Sequence, residues 1–223
     1  MPLAGKGMLL TSMDIDPADE ANFNRWYDDE HLEERVAIDG FLEARRYVAH
    51  AGSPKYLCLY STKTIEALDS AAYRKRLDNP TDWSKTTMAQ FKNMIRAVAR
   101  ITVSRGTGRG AVLGIVRYRP HAEQEDALRN QLKERLNPNS DGIISTHLLE
   151  SDAKLSGPTP EIPSAGKAGY GDWFVLIDGT NVNAITAMLA TRFTGTSAPE
   201  ACDLITSGIY DLMWDLAKSD IAS

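Results

Sequence analysis

Short segments in which apolar and polar residues alternate are separated, in the first half of the chain, by longer segments with helical periodicity. Alternation with a period of two is typical of strands, whereas apolar residues three or four positions apart are typical of amphipathic helices. The pattern predicts strands over residues 7–15, 41–49, 55–61 and 95–104, and helices over residues 17–38, 64–78 and 83–94. Asp16 is a suitable N-cap for the first helix, and Asp39-Gly40 is a suitable end.

The same β-α-β-β-α-β order recurs in the second half of the chain. The pattern predicts strands over residues 111–118, 142–149, 173–178 and 209–216, and helices over residues 122–136, 182–193 and 199–205. Three glycines within residues 104–110 indicate a turn or linker between the halves. We therefore predict an α+β fold of two ferredoxin-like units, residues 1–105 and 110–223, with a long irregular loop at residues 154–171 in the second unit.

Composition narrows the functional classes. The chain has 223 residues and a formal charge of −5, which disfavours nonspecific binding to nucleic acid phosphates. Cys58 and Cys202 lie in apolar segments without paired spacing, so we expect reduced, buried thiols and neither a disulfide nor a metal site. We find no apolar run long enough to span a membrane and no signal peptide near Met1, and we expect a cytoplasmic protein without membrane or nucleic acid partners.

The most unusual segment is residues 23–35, in the first predicted helix. At about 100° per residue, one helix face carries Phe23, Tyr27, His31, Glu34 and Ile38, with Arg35 at its margin. Because Phe23 and Ile38 indicate a face that packs on the sheet, His31 occupies a position where a core helix has Leu or Val. A buried polar group needs a partner or a ligand.

Two interpretations of His31 remain open. It is either a core histidine hydrogen-bonded to Tyr27 or Glu34, or a general acid/base in a cleft between helix and sheet. In the second case, Tyr27 either hydrogen-bonds the substrate or holds the imidazole tautomer. Aligning Gly40 with Gly142, an offset of about 102 residues, places Arg129 opposite Tyr27 and Lys133 opposite His31. The second unit therefore lacks this set, and we assign the site to the first.

Arginines in predicted strands are the second candidate feature. Arg45 and Arg46 are adjacent on one strand and must point to opposite faces of the sheet, whereas Arg96 and Arg100 share a face of the last strand of the first unit. Arginine in so apolar a setting requires a carboxylate, either from the protein, with Glu34 or Glu43 as candidates, or from an acidic substrate.

The segments Trp26-Tyr27-Asp28-Asp29-Glu30-His31-Leu32-Glu33-Glu34-Arg35, Ile38-Asp39-Gly40-Phe41 and Ala44-Arg45-Arg46-Tyr47 resemble the dimeric α/β-barrel superfamily, in particular its EthD-like members. The resemblance implies a barrel of two four-stranded sheets with helices outside and ligands between sheet and helices. Here the two fused units would form the barrel as a pseudo-dimer, and the chain would still be able to form a homodimer.

Because the superfamily includes muconolactone isomerases, the resemblance implies a cofactor-independent isomerase, acting by cis–trans or keto–enol isomerisation on a small unsaturated carboxylate such as an aromatic ring-cleavage product. In this hypothesis His31 moves the proton and Tyr27 donates to the enolate oxygen. Binding of the acidic substrate is assigned to Arg35, Arg45, Arg46 and Arg96.

Other reactions stay open. A cofactor-free monooxygenase of phenolic substrates would use an apolar pocket lined by Tyr60, Trp83 and the methionines Met8, Met13 and Met88. A dry pocket with few cations favours this alternative, whereas convergent arginines favour the isomerase. A non-catalytic small-molecule-binding or stress protein is the third possibility. We expect no cofactor; a haem protein of this superfamily would instead use His31 as an axial ligand.

Overall fold

In a computed structural model that describes residues 3–159 and 169–221, antiparallel strands close into an eight-stranded barrel. The strands are β1 (Gly7–Asp14), β2 (Phe41–Ala51), β3 (Tyr56–Thr62), β4 (Lys92–Gly106), β5 (Val112–Pro120), β6 (Ile143–Ser151), β7 (Trp173–Gly179) and β8 (Cys202–Ala217). The helices are α1 (Glu20–Trp26), α2 (Leu32–Val36), α3 (Ala71–Asp78), α4 (Asp82–Met88), α5 (Glu125–Arg135) and α6 (Val182–Met188).

The order of strands around the barrel is β1-β3-β2-β8-β5-β7-β6-β4, and β4 pairs with β1 to close the ring. The first half of the chain supplies the consecutive strands β4, β1, β3 and β2, and the second half supplies β8, β5, β7 and β6. Two antiparallel pairings, β2 with β8 and β4 with β6, join these sets. The β-α-β-β-α-β order predicted for each half is present.

Alternation along the strands divides their side chains between the barrel lumen and an outer layer. The lumen is filled by an apolar cluster to which all eight strands contribute, including Met8, Leu10, Tyr47, Leu57, Ala97, Leu113, Leu149, Leu176 and Tyr210. Outside, the helices of each half pack mainly on the strands of the same half and form one further cluster each. Val103 of β4 joins the second cluster, and Trp214 and Leu216 of β8 pack against the first. The helix carrying His31 therefore covers the outer face of the first sheet.

Several boundaries differ from the prediction. The helix predicted at residues 83–94 ends at Met88, because β4 begins at Lys92 and pairs with β1. The first helix starts at Glu20 and contains a π-helical turn, Tyr27–His31, between α1 and α2. The helix predicted at residues 64–78 is a 3₁₀ turn, Ile65–Asp69, followed by α3 with Ser70 as N-cap. The helix predicted at residues 199–205 is wrong, because β8 already begins at Cys202 and pairs with β5 along its length. Part of the loop predicted at residues 154–171 lies outside the described residues.

One end of the lumen holds a buried polar cluster around Arg45 and Asp178. The Arg45 guanidinium lies 3.2 Å from the Asp178 carboxylate and also donates to Tyr47 Oη at 3.1 Å. His147 Nε2 lies 3.4 Å from Asp178 and 3.0 Å from Ser145 Oγ. Burial alone would raise the pKa of Asp178, but the hydrogen bond with His147 and the Arg45 charge hold this pKa below its usual value.

The position of Arg45 corrects one site prediction. Arg45 pairs across the sheet with Leu59, which belongs to the lumen cluster, whereas Arg46 pairs with Cys58 on the outer face. The two arginines do point to opposite faces, but Arg45 is separated from His31 by the sheet. Its buried charge is compensated by Asp178, so it contributes to the barrel interior and not to the candidate site.

We expect Asp178→Ala to lower the free energy of unfolding by about 3–5 kcal/mol, because it leaves the buried Arg45 charge without its carboxylate. Urea denaturation followed by circular dichroism measures this change. The matched control is Glu66→Ala, which removes an exposed carboxylate 3.5 Å from Arg100 and should change stability little. Equal effects of the two substitutions would contradict the structural importance of the lumen pair.

Candidate active site

The π-helical turn determines which side chains of the first helix face the sheet. A π turn contains one residue more per turn than an α-helix, so it rotates the residues that follow it. Tyr27, His31 and Arg35 are buried, with exposed fractions of 1%, 7% and 3%. Glu34, which straight helical periodicity places on the buried face, is instead partly exposed and lies 3.2 Å from Arg76. The predicted contact between Glu34 and His31 is therefore wrong.

These side chains line a cavity between the helices of the first half and the outer face of its sheet. The cavity itself has a volume of about 20 Å³, and about 380 Å³ of space lies between its lining atoms when the open mouth is included. Its apolar wall consists of Leu9, Met13, Leu77, Met88, Phe91 and Met94. Its polar lining consists of Thr11, Tyr27, His31, Arg35, Tyr60, Tyr73, Arg96 and Thr159. The lining therefore combines six apolar residues with eight that carry a polar group, an arrangement that can bind the apolar body of a small molecule and orient its polar atoms.

Strand register brings the floor of the cavity together. Thr11 in β1 pairs with Cys58 in β3 on one side and with Arg96 in β4 on the other. Leu9 pairs in the same way with Tyr60. Residues directly opposite each other in an antiparallel sheet share a face, so these side chains all point toward the helix that carries His31.

The imidazole of His31 is surrounded by aromatic rings. The Trp26 ring lies nearly parallel to it, with centroids 4.1 Å apart and planes inclined by 30°. Tyr27 and Tyr60 meet it edge-on at 5.2 and 6.4 Å. Nδ1 is buried and has no hydrogen-bond partner among the described residues. A buried polar atom of this kind requires a partner, and water or a ligand in the cavity can provide it.

Burial lowers the pKa of His31 well below 6.5, and the nearby charges of Arg35 and Arg46 lower it further. The imidazole is therefore neutral at pH 7 and able to accept a proton. Burial also raises the pKa of Tyr27 and of Tyr60 well above 10, with smaller contributions from Cys58 beside them. Both phenols stay protonated and can act as hydrogen-bond donors.

Arg46 and Arg96, like Arg45, are predicted substrate-binding residues that have protein partners. Arg46 lies on the outer face below the helix, where it pairs with Asp28 at 2.9 Å, donates to Asn24 and covers the Tyr27 ring at 4.4 Å. Arg96 lines the cavity but donates to the carbonyl oxygens of Leu155 and Gly157 at 2.6 and 3.1 Å.

The predicted ion pairs of these arginines with Glu34 or Glu43 are absent from the described residues, since Glu34 pairs with Arg76 and Glu43 with Arg109. Two further predicted lining residues lie elsewhere. The Trp83 indole donates to Asn22 at 3.2 Å beside α1 and does not line the cavity. Met8 packs in the barrel lumen.

Thr11 and Tyr73 are lining residues that sequence reasoning missed. A threonine within the apolar strand β1 was the available signal, because its position in the alternation matches that of Leu9 and Met13 on the outer face. The described residues contain no group of three or more His, Cys, Asp or Glu side chains suited to a metal ion. They also contain no helix long and apolar enough to cross a membrane.

In the second half, the positions on α5 that correspond to the candidate site hold different side chains. Arg129, the counterpart of Tyr27 in the repeat alignment, pairs with Glu150 at 2.7 Å and covers the Trp173 ring at 5.2 Å. Leu128 and Leu132 of α5 are fully buried in the apolar cluster of that half. The aromatic-plus-imidazole arrangement thus belongs to the first half.

No protein-family model matches the chain, and no curated protein matches it significantly. Several solved structures share its fold. An anthrone oxidase-like protein has a TM-score of 0.66 and 8% identity, with 98% of this chain and 95% of that chain covered. A protein from Fusobacterium nucleatum with a provisional monooxygenase name has a TM-score of 0.60 and 8% identity, with 97% and 96% covered.

A mutant chlorite dismutase from Candidatus Nitrospira defluvii has a TM-score of 0.51 and 9% identity, with 93% and 90% of the two chains covered. At these identities the similarity shows the fold alone. The chain shares the overall fold of these proteins, and the barrel with helices outside that the sequence resemblance implied is present.

We expect the buried, neutral His31 to make stability depend on pH. Below pH 6.5 the unfolded chain binds a proton at this ring while the folded protein does not, so stability falls as pH decreases. This group contributes up to about 1.4 kcal/mol per pH unit. Urea denaturation between about pH 7.5 and about pH 5 should give a shallower slope for His31→Gln than for the unsubstituted protein. Identical slopes would contradict the lowered pKa, because they would show that the ring binds its proton equally in the folded and unfolded states.

Proposed function

We propose that the protein is a cofactor-independent oxygenase of phenolic or anthrone-type aromatic substrates, with its active site in the His31 cavity. The observation that carries the proposal is a neutral imidazole whose buried Nδ1 has no partner among the described residues, in a cavity with a wall of methionine, leucine and phenylalanine opposite its polar groups. Such a site can remove a proton from a weakly acidic aromatic substrate while keeping bulk water away.

The isomerase hypothesis required several arginines converging on the substrate carboxylates. Arg45 is in the barrel lumen, Arg46 is covered by the helix, and Arg96 is occupied by backbone carbonyls. Among the described residues, Arg35 and Arg96 are the positively charged side chains of the cavity lining. A cavity with few such cations and an apolar wall favours oxygenation, and the names of the anthrone oxidase-like and Fusobacterium nucleatum proteins agree with that choice.

The proposed oxygenation requires one base and a few hydrogen-bond donors. His31 accepts the proton of a phenolic hydroxyl or of an anthrone methylene group, and the substrate becomes an electron-rich anion. Tyr27 and Tyr60, both protonated, donate hydrogen bonds to its oxygen, and the positive charge of Arg35 favours the anion. The anion is oxidised by O₂, one oxygen atom enters the ring as a quinone carbonyl, and the other leaves as water. Substrate and O₂ thus give quinone and H₂O, and the substrate supplies the electrons.

Flexible side chains in the wall fit this use. Met13, Met88 and Met94 are unbranched and polarisable, so they can rearrange around a planar aromatic ligand. The cavity itself has a volume of only about 20 Å³, which is room for one water molecule, so an aromatic ligand enters only if these side chains rearrange.

We further propose that the chain is a tandem fusion of two ferredoxin-like units in which the second unit, residues 110–223, has lost the site. Strand order supports this, since each half contributes four consecutive strands to one barrel. A second chain is then not needed to complete the barrel, and a homodimer would form through other surfaces. A cytoplasmic location and the absence of nucleic acid or membrane partners remain part of the proposal.

The test is oxygen uptake by the purified protein with anthrone and simple phenols. We expect quinone formation with equal consumption of O₂, and none under nitrogen. His31→Ala should reduce kcat by about 10²–10⁴-fold, the usual contribution of a general base, while ligand binding is retained. His50→Ala, at an exposed ring near a turn, is the control and should retain full activity.

Other outcomes identify the other functions. Absorbance change with unsaturated dienoates but no oxygen uptake would support the isomerase and contradict the oxygenase. Ligand binding without turnover, unaffected by His31→Ala, would support the non-catalytic binding protein. A purified protein with haem absorbance that is lost in His31→Ala would show that His31 is an axial ligand.

A further inference from the structure

The orientation of the His31 ring is determined by packing against Trp26. No described residue hydrogen-bonds Nδ1, and the two tyrosine rings meet the imidazole only by their edges. The one ring that lies against its face is Trp26, at 4.1 Å and 30°. Whatever fixes the Trp26 indole therefore fixes the plane of the imidazole.

The indole of Trp26 is fixed by hydrogen bonds on the side away from the cavity. Its Nε1 donates to Glu30 Oε1 and to Ser84 Oγ, both at 3.1 Å, and the ring is fully buried. Ser84 lies in α4, so these bonds join two different helices.

Glu30 is the centre of this arrangement. The same Oε1 atom accepts from Thr81 Oγ1 at 2.6 Å and from Ser84 Oγ at 3.0 Å, in addition to the indole. Thr81 and Ser84 are the N-cap and the first turn of α4, and Thr81 Oγ1 also accepts from the Ser84 backbone N–H at 2.9 Å. Three donors converge on one oxygen, which limits the freedom of each group.

Glu30 also immediately precedes His31 within the π-helical turn. The irregular turn thus presents a carboxylate to α4 and an imidazole to the cavity from adjacent positions. This arrangement connects the start of α4 to the candidate base through one carboxylate and one indole.

We propose that Glu30, Ser84 and Trp26 are positioning residues for His31: they hold the indole against the imidazole and so fix the plane of the imidazole ring in the cavity. None of the three lines the cavity, so they act through His31 and do not touch the substrate. The kinetic consequence depends on the proposed oxygenase function, whereas the orientation of the ring does not.

The first experiment measures the ring without any substrate. The chain contains only four histidines, so labelling with ¹⁵N- and ¹³C-histidine gives a simple spectrum, and His31→Ala assigns the His31 signals. Stacking on an indole shifts imidazole ring protons upfield. We expect Glu30→Ala and Ser84→Ala to reduce this upfield shift, and Trp26→Phe to remove most of it. Glu30→Gln keeps an acceptor oxygen for the indole, so its His31 ring-proton shifts should be close to those of the unsubstituted protein.

The matched control is Glu33→Ala, which removes an exposed glutamate of the same helix without touching Trp26. It should leave the His31 signals unchanged. His31 signals that are the same in Glu30→Ala, Ser84→Ala and Glu33→Ala would overturn the proposal. If Glu30→Ala fails to fold, Ser84→Ala and Trp26→Phe decide the question alone.

The second experiment separates positioning from simple stabilisation. Glu30→Ala should reduce kcat about tenfold or more with KM nearly unchanged, because a misdirected base impairs proton transfer more than ligand binding. Trp173→Phe, at a buried tryptophan of the second half, tests for a general loss of stability and should leave kcat unchanged. A fall in kcat with unaltered His31 signals would contradict the positioning role. If the unsubstituted protein has no oxygenase activity but its His31 signals show the upfield shift and respond to the substitutions as expected, the proposed oxygenase function is wrong and the positioning of the ring still holds.

Discussion

Closure of the barrel is the constraint on which the rest of the structure depends. A four-stranded sheet from either half would leave two unpaired edges and an apolar inner face exposed to water. The pairings of β2 with β8 and of β4 with β6 remove all four edges and bury the inner faces against each other. Once the ring is closed, each strand side chain points either into the lumen or toward the helix layer. Arg45 and Arg46 therefore point in opposite directions, and Thr11, Cys58 and Arg96 lie together under the first helix.

Much of the fold could be predicted from the sequence because strands of this kind are encoded locally. Period-two alternation and turn residues located nearly every strand, and repetition of the element order indicated two equivalent halves. The pairings that close the ring could not be derived in the same way, because residues such as Arg45 and Asp215 lie opposite each other across a large distance in the chain. The start of β8 was mistaken for a helix because its pairing with β5, not its local pattern, extends it to Cys202.

The candidate site was predictable in its residues more than in its geometry. A histidine and a tyrosine on the buried face of a helix were visible from spacing, and the structure brings both to one cavity. The π-helical turn was not visible, because an extra residue in one turn leaves no mark on a short periodic pattern. After this turn, Arg35 faces the cavity and Glu34 faces away from it, toward Arg76. Nδ1 of His31 therefore lacks the Glu34 carboxylate that regular helical periodicity had suggested as its partner. Strand alternation likewise showed that Arg45 and Arg46 diverge, but not which of them faces the lumen.

A second π-helical turn shows why the irregularity alone does not make a site. Leu189–Phe193 follows α6 in the second half, and there the turn buries two apolar side chains. The Phe193 carbonyl accepts a hydrogen bond from Tyr118 Oη at 2.6 Å, so the local backbone is satisfied from within the protein. In the first half the turn instead carries Tyr27 and His31 into the interior, where Nδ1 of His31 has no hydrogen-bond partner in the described part of the chain. Both π-helical turns occur in the same barrel, so the turn alone does not create a candidate site. The difference lies in the side chains that each turn buries, which are polar in the first half and apolar in the second.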